Sequence, residues 1–132
     1  MSGPARMGFE YSISHPDRLV RLVGTGPLNF ETCTATIREM DAILAGAMGF
    51  GVLADLRGAE YDASIAEIRD FAAMVTEPAT LRGHRYAIVV SSTVMFGLGR
   101  MFSTYLGLLG GEAEVFREME PAVAWLNQSG TL

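Results

Sequence analysis

The hydrophobic positions of this chain change their spacing several times, which predicts alternating strands and helices. Residues 9–14 alternate apolar and polar side chains, as in a half-buried strand. A turn at 15–18 leads into a second apolar strand over 19–23, and a connection this short makes the two strands an antiparallel hairpin. The glycines and proline of residues 24–27 then break the chain, and Asn29 is the predicted N-cap of the first helix.

The middle of the chain predicts two helices separated by a strand. The first helix carries apolar side chains three and four residues apart, at Phe30, Cys33, Ile37, Met40 and Leu44. Residues 52–54 form a short apolar strand that ends at Asp55, and residues 56–62 form a polar loop. Ser64 and Glu67 match a capping box, so the second helix begins at this point. Its predicted apolar face is Ile65, Ile68, Ala72 and Val75.

The last third of the chain begins with a continuous apolar run over 86–90, as in a strand covered on both faces. A third helix follows, and its predicted apolar face is Val94, Leu98, Met101 or Phe102, Tyr105 and Leu109. Gly97, Gly99 and Gly107 lie inside this helix, where they indicate close packing against another backbone, or alternatively a break. A short strand over 114–116 and a short closing helix around Trp125 complete the chain.

The predicted order is β-β-α-β-α-β-α-β-α, which is typical of an α/β fold. Strands that alternate with helices form a mixed, mostly parallel sheet, with the first hairpin strand antiparallel at an edge. Residues 1–8 contain no apolar run and are predicted to be a flexible N-terminal tail. Residues 9–128 form a single domain, as expected for a chain of 132 residues.

Composition and charge restrict the classes of partner. The net charge of −5 argues against nucleic acid and against an anionic membrane surface. Residues 86–111 carry only Arg100 as a charge, but glycines and hydroxyl side chains interrupt them, so a strand and a helix fit better than a membrane span. The N-terminus lacks the apolar core of a signal peptide, and a cytoplasmic location is expected.

Cysteine and histidine are too sparse to suggest a cofactor. The lone Cys33 excludes an internal disulfide, and a buried, inert thiol is its expected role. No Cys/His group has zinc spacing, so neither a metal nor a cofactor is predicted. With 49% apolar and only 19% charged residues, the chain has apolar surface to spare for a partner or a ligand.

Several short segments, in this order and spacing, resemble a known family. They are residues 52–58 (Val-Leu-Ala-Asp-Leu-Arg-Gly), 85–90 (Arg-Tyr-Ala-Ile-Val-Val), 99–102 (Gly-Arg-Met-Phe), and 115–116 (Val-Phe) with 122–126 (Ala-Val-Ala-Trp-Leu). Over residues 9–126 the chain resembles the STAS domain, the fold of bacterial anti-sigma-factor antagonists. It is most similar to the SpoIIAA-like family of small uncharacterised bacterial proteins. The architecture is also similar to that of CRAL-TRIO lipid-binding domains.

The resemblance implies a candidate phospho-acceptor at Ser64. STAS antagonists carry a phosphorylated serine in an Asp-Ser-Ser-Gly motif, and this region reads Asp62-Ala63-Ser64-Ile65. An ungapped alignment places Ser64 on the phosphorylated serine, whereas aligning the aspartates places Ala63 there and removes the acceptor. The alternative is that Ser64 is only a helix N-cap.

Two further candidate sites follow from the predicted elements. Asp55 and Arg57 at one strand end, with Ser91, Ser92 and Thr93 at the next, form a candidate site for an anion or a small polar ligand. The alternative is that these side chains cap or hydrogen-bond neighbouring loops. The third helix has more apolar residues than one face can hold, and its candidate interface residues are Met95, Phe96, Met101, Phe102 and Tyr105.

The sequence favours a binding protein over an enzyme. It contains neither a G-x-S-x-G elbow nor a phosphate-binding G-x-x-x-x-G-K-[ST] loop. The leading hypothesis is a non-enzymatic STAS-like regulatory module that acts through protein contact, as a homodimer with a regulatory protein partner. The alternative is a carrier that binds an apolar or lipid-like small molecule.

Overall fold

The strands and helices of the computed structural model alternate along the chain, and it describes residues 2–6, 8–61, 63–78, 81 and 83–128. The strands are β1 (Ser2–Arg6), β2 (Phe9–Ser14), β3 (Leu19–Leu28), β4 (Gly51–Tyr61), β5 (Arg85–Val89) and β6 (Glu112–Phe116). The helices are α1 (Phe30–Ala45), α2 (Ile65–Thr76), α3 (Thr93–Leu108) and α4 (Met119–Gln128).

The six strands form one mixed sheet in which each strand pairs with the next one in sequence. The pairs β1–β2 and β2–β3 are antiparallel, and the pairs β3–β4, β4–β5 and β5–β6 are parallel. Parallel neighbours need a crossover connection, and α1, α2 and α3 supply the three that this sheet requires. The predicted mixed α/β fold is therefore confirmed.

The two faces of the sheet bury separate sets of side chains. Along β5, Tyr86 and Ile88 face one side, whereas Ala87 and Val89 face the other, as the two-residue period of a strand requires. Helices α1, α2 and α3 cover the first face, which holds the larger of the two hydrophobic clusters. Helix α4 covers the second face with Ala122 and Leu126.

The N-terminal residues do not match the predicted flexible tail. Residues 2–6 form β1, which pairs with β2 through partners such as Ser2 with Ser12 and Pro4 with Glu10. β2 is therefore not the edge strand that the sequence predicts. An edge strand is held by backbone hydrogen bonds and tolerates proline, so this one needed no apolar run and left no hydrophobic signal.

The central strands are longer than predicted. The predicted break at 24–27 is wrong, and so is the predicted loop over residues 56–61, because β3 runs on to Leu28 and β4 to Tyr61, in parallel pairing with each other. Asp62, the last residue of that predicted loop, lies outside the described residues. The register shifts between Val23 and Thr25. Gly24 suits this crowded point, since a Cβ there would lie 2.8 Å from Leu56 Cδ2. Backbone pairing here overrides the weak strand propensity of glycine and proline.

The predicted helix starts are confirmed at both predicted caps. Asn29 Oδ1 accepts a 2.7 Å hydrogen bond from the backbone N–H of Thr32. Ser64 and Glu67 form both bonds of a capping box, with Ser64 Oγ accepting from Glu67 N–H at 3.1 Å and Glu67 Oε1 accepting from Ser64 N–H at 3.0 Å. These bonds satisfy N–H groups that a helix leaves without partners in its first turn.

The buried face of α3 is rotated from the predicted one. Met95, Phe102 and Leu106 are buried, whereas Val94 is 71% exposed and Leu109 is 46% exposed. Ile65, predicted to lie on the buried face of α2, is also exposed at 61%. Helix α3 is apolar around most of its circumference, so spacing alone does not fix which side faces the sheet.

The apolar segment 86–111 divides into β5 and α3, as the sequence predicts. Within the described part of the chain, every helix is too short or too polar to cross a lipid bilayer.

Helix α4 is held on the opposite face of the sheet by Arg85, whose guanidinium lies 3.8 Å from the centre of the Trp125 ring. The same side chain donates a 3.0 Å hydrogen bond to the Trp125 carbonyl and forms an ion pair with Glu112.

Only one of the three glycines within α3 marks a close approach. A Cβ at Gly99 would lie 2.7 Å from Val115 Cγ2, so this turn of the helix lies directly on β6. Nothing lies within 4 Å of a Cβ at Gly97 or Gly107. The predicted close packing therefore holds for Gly99, against a side chain rather than a backbone.

This difference gives a matched pair of substitutions in one helix. Gly99→Ala should lower the free energy of unfolding by about 1–3 kcal/mol, because the new methyl group overpacks the contact with Val115. Gly97→Ala should raise the free energy of unfolding by up to about 1 kcal/mol, because alanine is the better helix former and meets nothing there. Urea unfolding followed by circular dichroism measures both, and shifts of the same sign would contradict the packing described.

Candidate functional site

An apolar cavity of about 140 Å³ lies between the sheet and helices α1, α2 and α3. Its floor includes Leu22, Ala54 and Ile88 from the three central strands. Its roof includes Ile37 of α1 and Leu98 of α3. An engineered apolar cavity of about 150 Å³ in another protein stays dry and binds benzene, so a volume of this size can hold one aromatic ring.

A small residue of the sheet, Ala54, stands where a larger side chain would occupy part of the cavity. Ala54 lies in the middle of β4, opposite Leu22 on one side and Ile88 on the other, yet it stays partly exposed. Its free surface faces the cavity, which it lines together with Gly99. Because protein interiors are usually packed to crystal density, a void of this size is an unusual feature.

Among the described residues that line the cavity, the side-chain polar groups are three hydroxyl groups and one thiol. Thr36 Oγ1 donates to the Thr32 carbonyl at 2.9 Å, and Tyr86 Oη donates to the Leu81 carbonyl at 2.6 Å. Tyr61 Oη is buried and has no hydrogen-bond partner among the described residues. The surface that the cavity presents is almost entirely apolar, so the Tyr61 hydroxyl does not open into it.

The titratable groups of the lining are neutral near physiological pH. Burial raises the pKa of the Cys33 thiol to about 12, although the neighbouring Tyr61 hydroxyl offsets part of that rise. Burial also raises the pKa of Tyr61 and the pKa of Tyr86 above their ordinary values. An uncharged, mostly apolar lining disfavours any charged ligand, because a buried charge without a partner is costly.

The structure brings residues of the candidate anion site together, but they form hydrogen bonds with one another. Asp55 and Arg57 lie within β4 rather than at its end, and the two side chains form paired 2.9 Å hydrogen bonds. These bonds lower the pKa of Asp55. Ser91 Oγ donates to the Arg57 carbonyl at 2.8 Å, and Ser92 Oγ caps α3 by accepting from Met95 N–H. Thr93 is the first residue of α3.

An anion at this site would compete with a carboxylate that is already in place. β5 ends at Val89, which pairs with Asp55, so the Asp55–Arg57 pair stands level with the end of the neighbouring strand. Arg57 would have to release Asp55 to bind an incoming anion with the same two donors. Binding of an anion by Asp55, Arg57, Ser91, Ser92 and Thr93 stays a prediction.

Ser64 is exposed at the first turn of α2, where the capping box uses its side chain and its backbone N–H. Asp62, on which one of the two motif alignments depends, lies outside the described residues. A phosphate at a helix N-terminus is electrostatically favourable, and phosphorylation of Ser64 stays a prediction.

The candidate interface residues divide between the core and the surface. Met95 and Phe102 are buried in the chain's own core, at 7% and 8% exposure, and cannot present a face to a partner. Phe96, Met101 and Tyr105 are partly buried and pack against that core. The most exposed apolar side chains of α3 are instead Val94 and Leu108.

The cavity and Tyr61 are the features that the sequence did not predict. Tyr61 falls in the segment predicted to be a polar loop, although Leu56, Ala59 and Tyr61 there are apolar or aromatic. This was the available signal that β4 continues toward the core. A void between helices and sheet depends on contacts between distant residues, and a local sequence pattern carries no information about it.

Burial of Cys33 gives a test of its environment. Iodoacetamide should alkylate Cys33 more than about a hundredfold more slowly in the native protein than in the unfolded chain, because only the exposed thiolate reacts. The measurement is mass spectrometry of samples quenched over time, with the protein in concentrated guanidinium chloride as the control. Equal rates in the two samples would contradict a buried thiol.

The fold is also that of a protein of known structure. No family model matches the sequence, and no curated protein matches it. The chain is similar in structure to an uncharacterized protein from the DUF3478 family with a SpoIIAA-like fold from Shewanella loihica. The TM-score is 0.58 at 18% sequence identity, over 89% of this chain and 91% of that chain. This chain therefore has a SpoIIAA-like fold, as its order of strands and helices predicts.

Proposed function

We propose that this protein is a non-enzymatic SpoIIAA-like module that binds a small apolar molecule in the cavity beneath α1, α2 and α3. The observation that carries this proposal is the apolar volume of about 140 Å³ inside the larger core layer. Small-molecule sites are concave and mostly apolar, with a few polar groups that orient the ligand. The cavity matches the first part of that description, because it is concave and its surface is almost entirely apolar.

The energetics of the void favour a ligand. A residual apolar cavity costs about 24 cal/mol per Å³ compared with a filled one, so this void costs on the order of 3 kcal/mol. Water gains little there, because a buried water needs two to four polar partners. An apolar molecule of matching size restores the missing contacts without displacing bound water.

The size and charge of the cavity narrow the class of ligand. Its volume suits a compact molecule of about one aromatic ring rather than a long acyl chain. The described residues of its lining are uncharged near neutral pH, so a neutral ligand is preferred over a carboxylate or an amine. The proposed ligand is therefore a small, neutral member of the apolar or lipid-like class that the sequence indicates.

Filling the cavity provides the direct test. The probe is toluene, which should raise the melting temperature of the natural protein and shift the methyl NMR signals of Ile37, Ile88 and Leu98. Ala54→Leu should remove both effects, because the longer side chain occupies the same volume. Its free energy of unfolding should stay within about 1 kcal/mol of the natural protein, because the added methylenes enter a void.

Ala87→Leu is the matched control on the neighbouring strand. Ala87 is fully buried on the opposite face of the sheet, under α4, away from the cavity. The same substitution there should lower the free energy of unfolding by about 1–3 kcal/mol, while toluene still binds. If toluene left the NMR signals of the natural protein unchanged, the proposed function would be wrong.

A second candidate function is protein contact, which the exposed apolar residues at the helix starts favour. Ile65 is 61% exposed at the first turn of α2, and Val94 is 71% exposed at the first turn of α3. The backbone N–H of Tyr61 donates to Met95 Sδ at 3.3 Å, which brings these two helix starts near each other. Ser64 lies beside Ile65, so a phosphate there would add negative charge to the same surface. The partner proposed for this surface is a second copy of the chain, in a cytoplasmic homodimer.

Sedimentation velocity tests the second candidate. The natural protein should sediment increasingly as a dimer as its concentration rises, and Val94→Ser should shift it to the monomer. Leu108→Ser, at the other end of α3, is the control that should leave the dimer intact, since it removes an equally exposed apolar side chain. A monomer at every concentration would exclude the homodimer.

A further inference from the structure

We propose that Arg100 and Arg117, which share the ring of Phe96, form a docking surface for an acidic peptide segment of a partner protein. The surface lies where α3 packs on the end of β6. The lining of the cavity includes neither arginine, so this proposal stands independently of the proposed ligand site. The partner is recognised by two carboxylates, one for each guanidinium group.

Two guanidinium groups converge on one aromatic ring. Arg100 follows Phe96 by four residues, which places it one turn further along the same side of α3. Its Cζ atom lies 6.0 Å from the centre of the Phe96 ring. Arg117 follows the end of β6, and its Cζ atom also lies 6.0 Å from that centre. The two positive charges are therefore no farther apart than twice this distance.

These two charges have no carboxylate partner within the described part of the chain. Arg57 and Arg85, by contrast, each pair with a carboxylate of the chain. Arg117 donates a 3.3 Å hydrogen bond to the Ser91 carbonyl, and that group carries no net charge. A contact with an aromatic face holds an exposed guanidinium by about 0.5–1 kcal/mol and leaves its charge in place. Arg100 and Arg117 thus present two uncompensated charges on one exposed surface.

The acidic residues nearest in β6 face away from this surface. Val115 faces α3, since its Cγ2 atom is 2.7 Å from a Cβ built at Gly99. Glu114 precedes Val115, so its side chain points to the opposite face of the sheet, as the two-residue period of a strand requires. Helix α3 itself contains no acidic residue. A positive surface is therefore built into a chain whose net charge is −5.

An acidic peptide matches this arrangement better than a lone anion does. A lone anion would have to contact both guanidinium groups at once. Two carboxylates on one peptide can instead bind one guanidinium each, over the whole range of separations that the shared ring allows. Residues two positions apart in an extended chain lie about 7 Å apart on the same side, which suits such a pair. Arginine binds a carboxylate through parallel N–H donors, which adds geometric specificity to the charge attraction.

The shared ring also prepares both side chains for binding. Arginine has many rotamers, and fixing it on a partner costs conformational entropy. Contact with Phe96 restricts both arginines before a partner arrives, and the bond to Ser91 restricts Arg117 further. Less entropy is then lost when the carboxylates bind.

The test uses a synthetic peptide, Gly-Glu-Leu-Glu-Gly with both ends blocked, and a matched peptide with glutamine at both glutamate positions. In nitrogen-15 NMR spectra of the natural protein, the glutamate peptide should shift the Nε–H signals of Arg100 and Arg117. The glutamine peptide should leave both signals unchanged. Raising the salt concentration from about 0.01 M to about 0.1 M should weaken binding of the glutamate peptide by about threefold, because the Debye length falls from about 30 Å to about 10 Å.

Substitutions assign the effect to the two arginines. Arg100→Gln and Arg117→Gln should each raise the dissociation constant of the glutamate peptide about threefold, because each removes one ion pair at an exposed site. Arg69→Gln is the matched control, since it removes the same charge from an exposed position on α2. Its dissociation constant should stay within about twofold of the natural value.

Three outcomes would overturn the proposal. The first is equal shifts of the Arg100 and Arg117 signals with the glutamate and the glutamine peptides. The second is an equal loss of affinity in Arg69→Gln, which would mean that net charge alone governs binding. The third is equal shifts with sodium acetate at the same carboxylate concentration, which would mean that the surface takes free anions and recognises no peptide. All three leave the cavity proposal untouched, because its test uses toluene.

Discussion

The parallel pairing of β3 with β4 is the constraint on which the rest of the structure depends. It continues past the end of β5 to the pair Leu28–Tyr61, so it carries β4 well beyond the level of its other neighbour. This extension sets Tyr61 against Cys33 of α1 and against Met95 at the start of α3. Had β4 ended at Asp55, Tyr61 would not line the cavity.

Local sequence signals predicted the elements that short-range physics determines. Asn29 and the Ser64–Glu67 pair mark helix starts because their side chains bond to N–H groups only a few residues away. The order of strands and helices follows from the spacing of apolar residues. Two features depended on distant contacts instead: the extension of β3 through Gly24 and the rotation of α3 that exposes Val94. A local stretch of sequence does not show which strand a segment will pair with. It also does not show which side of a helix that is apolar all round will face the sheet.

The candidate sites show the same difference between features that local sequence predicts and features that depend on contacts between distant residues. The sequence placed Asp55, Arg57 and Ser91 near one another. The structure brings them together because β4 passes the end of β5 at Asp55, which pairs with Val89. The sequence could not show that these side chains bind one another. The cavity is the opposite case, since its volume depends on how α1, α2 and α3 sit over the sheet and on the small side chain of Ala54 beneath them.

The contact between Arg85 and Trp125 places the fluorescent tryptophan of the chain on one face of the sheet only. Trp125 is the single tryptophan of the chain, and it belongs to α4, on the face of the sheet opposite the cavity. A guanidinium 3.8 Å from its ring and the Phe116 ring at 6.0 Å dominate its surroundings. Its emission therefore reports whether α4 is docked. A ligand in the cavity on the other face should leave the Trp125 emission unchanged and should alter the signals of Tyr61 and Tyr86, which line the cavity. The two faces of the sheet can therefore be followed separately in one unlabelled protein.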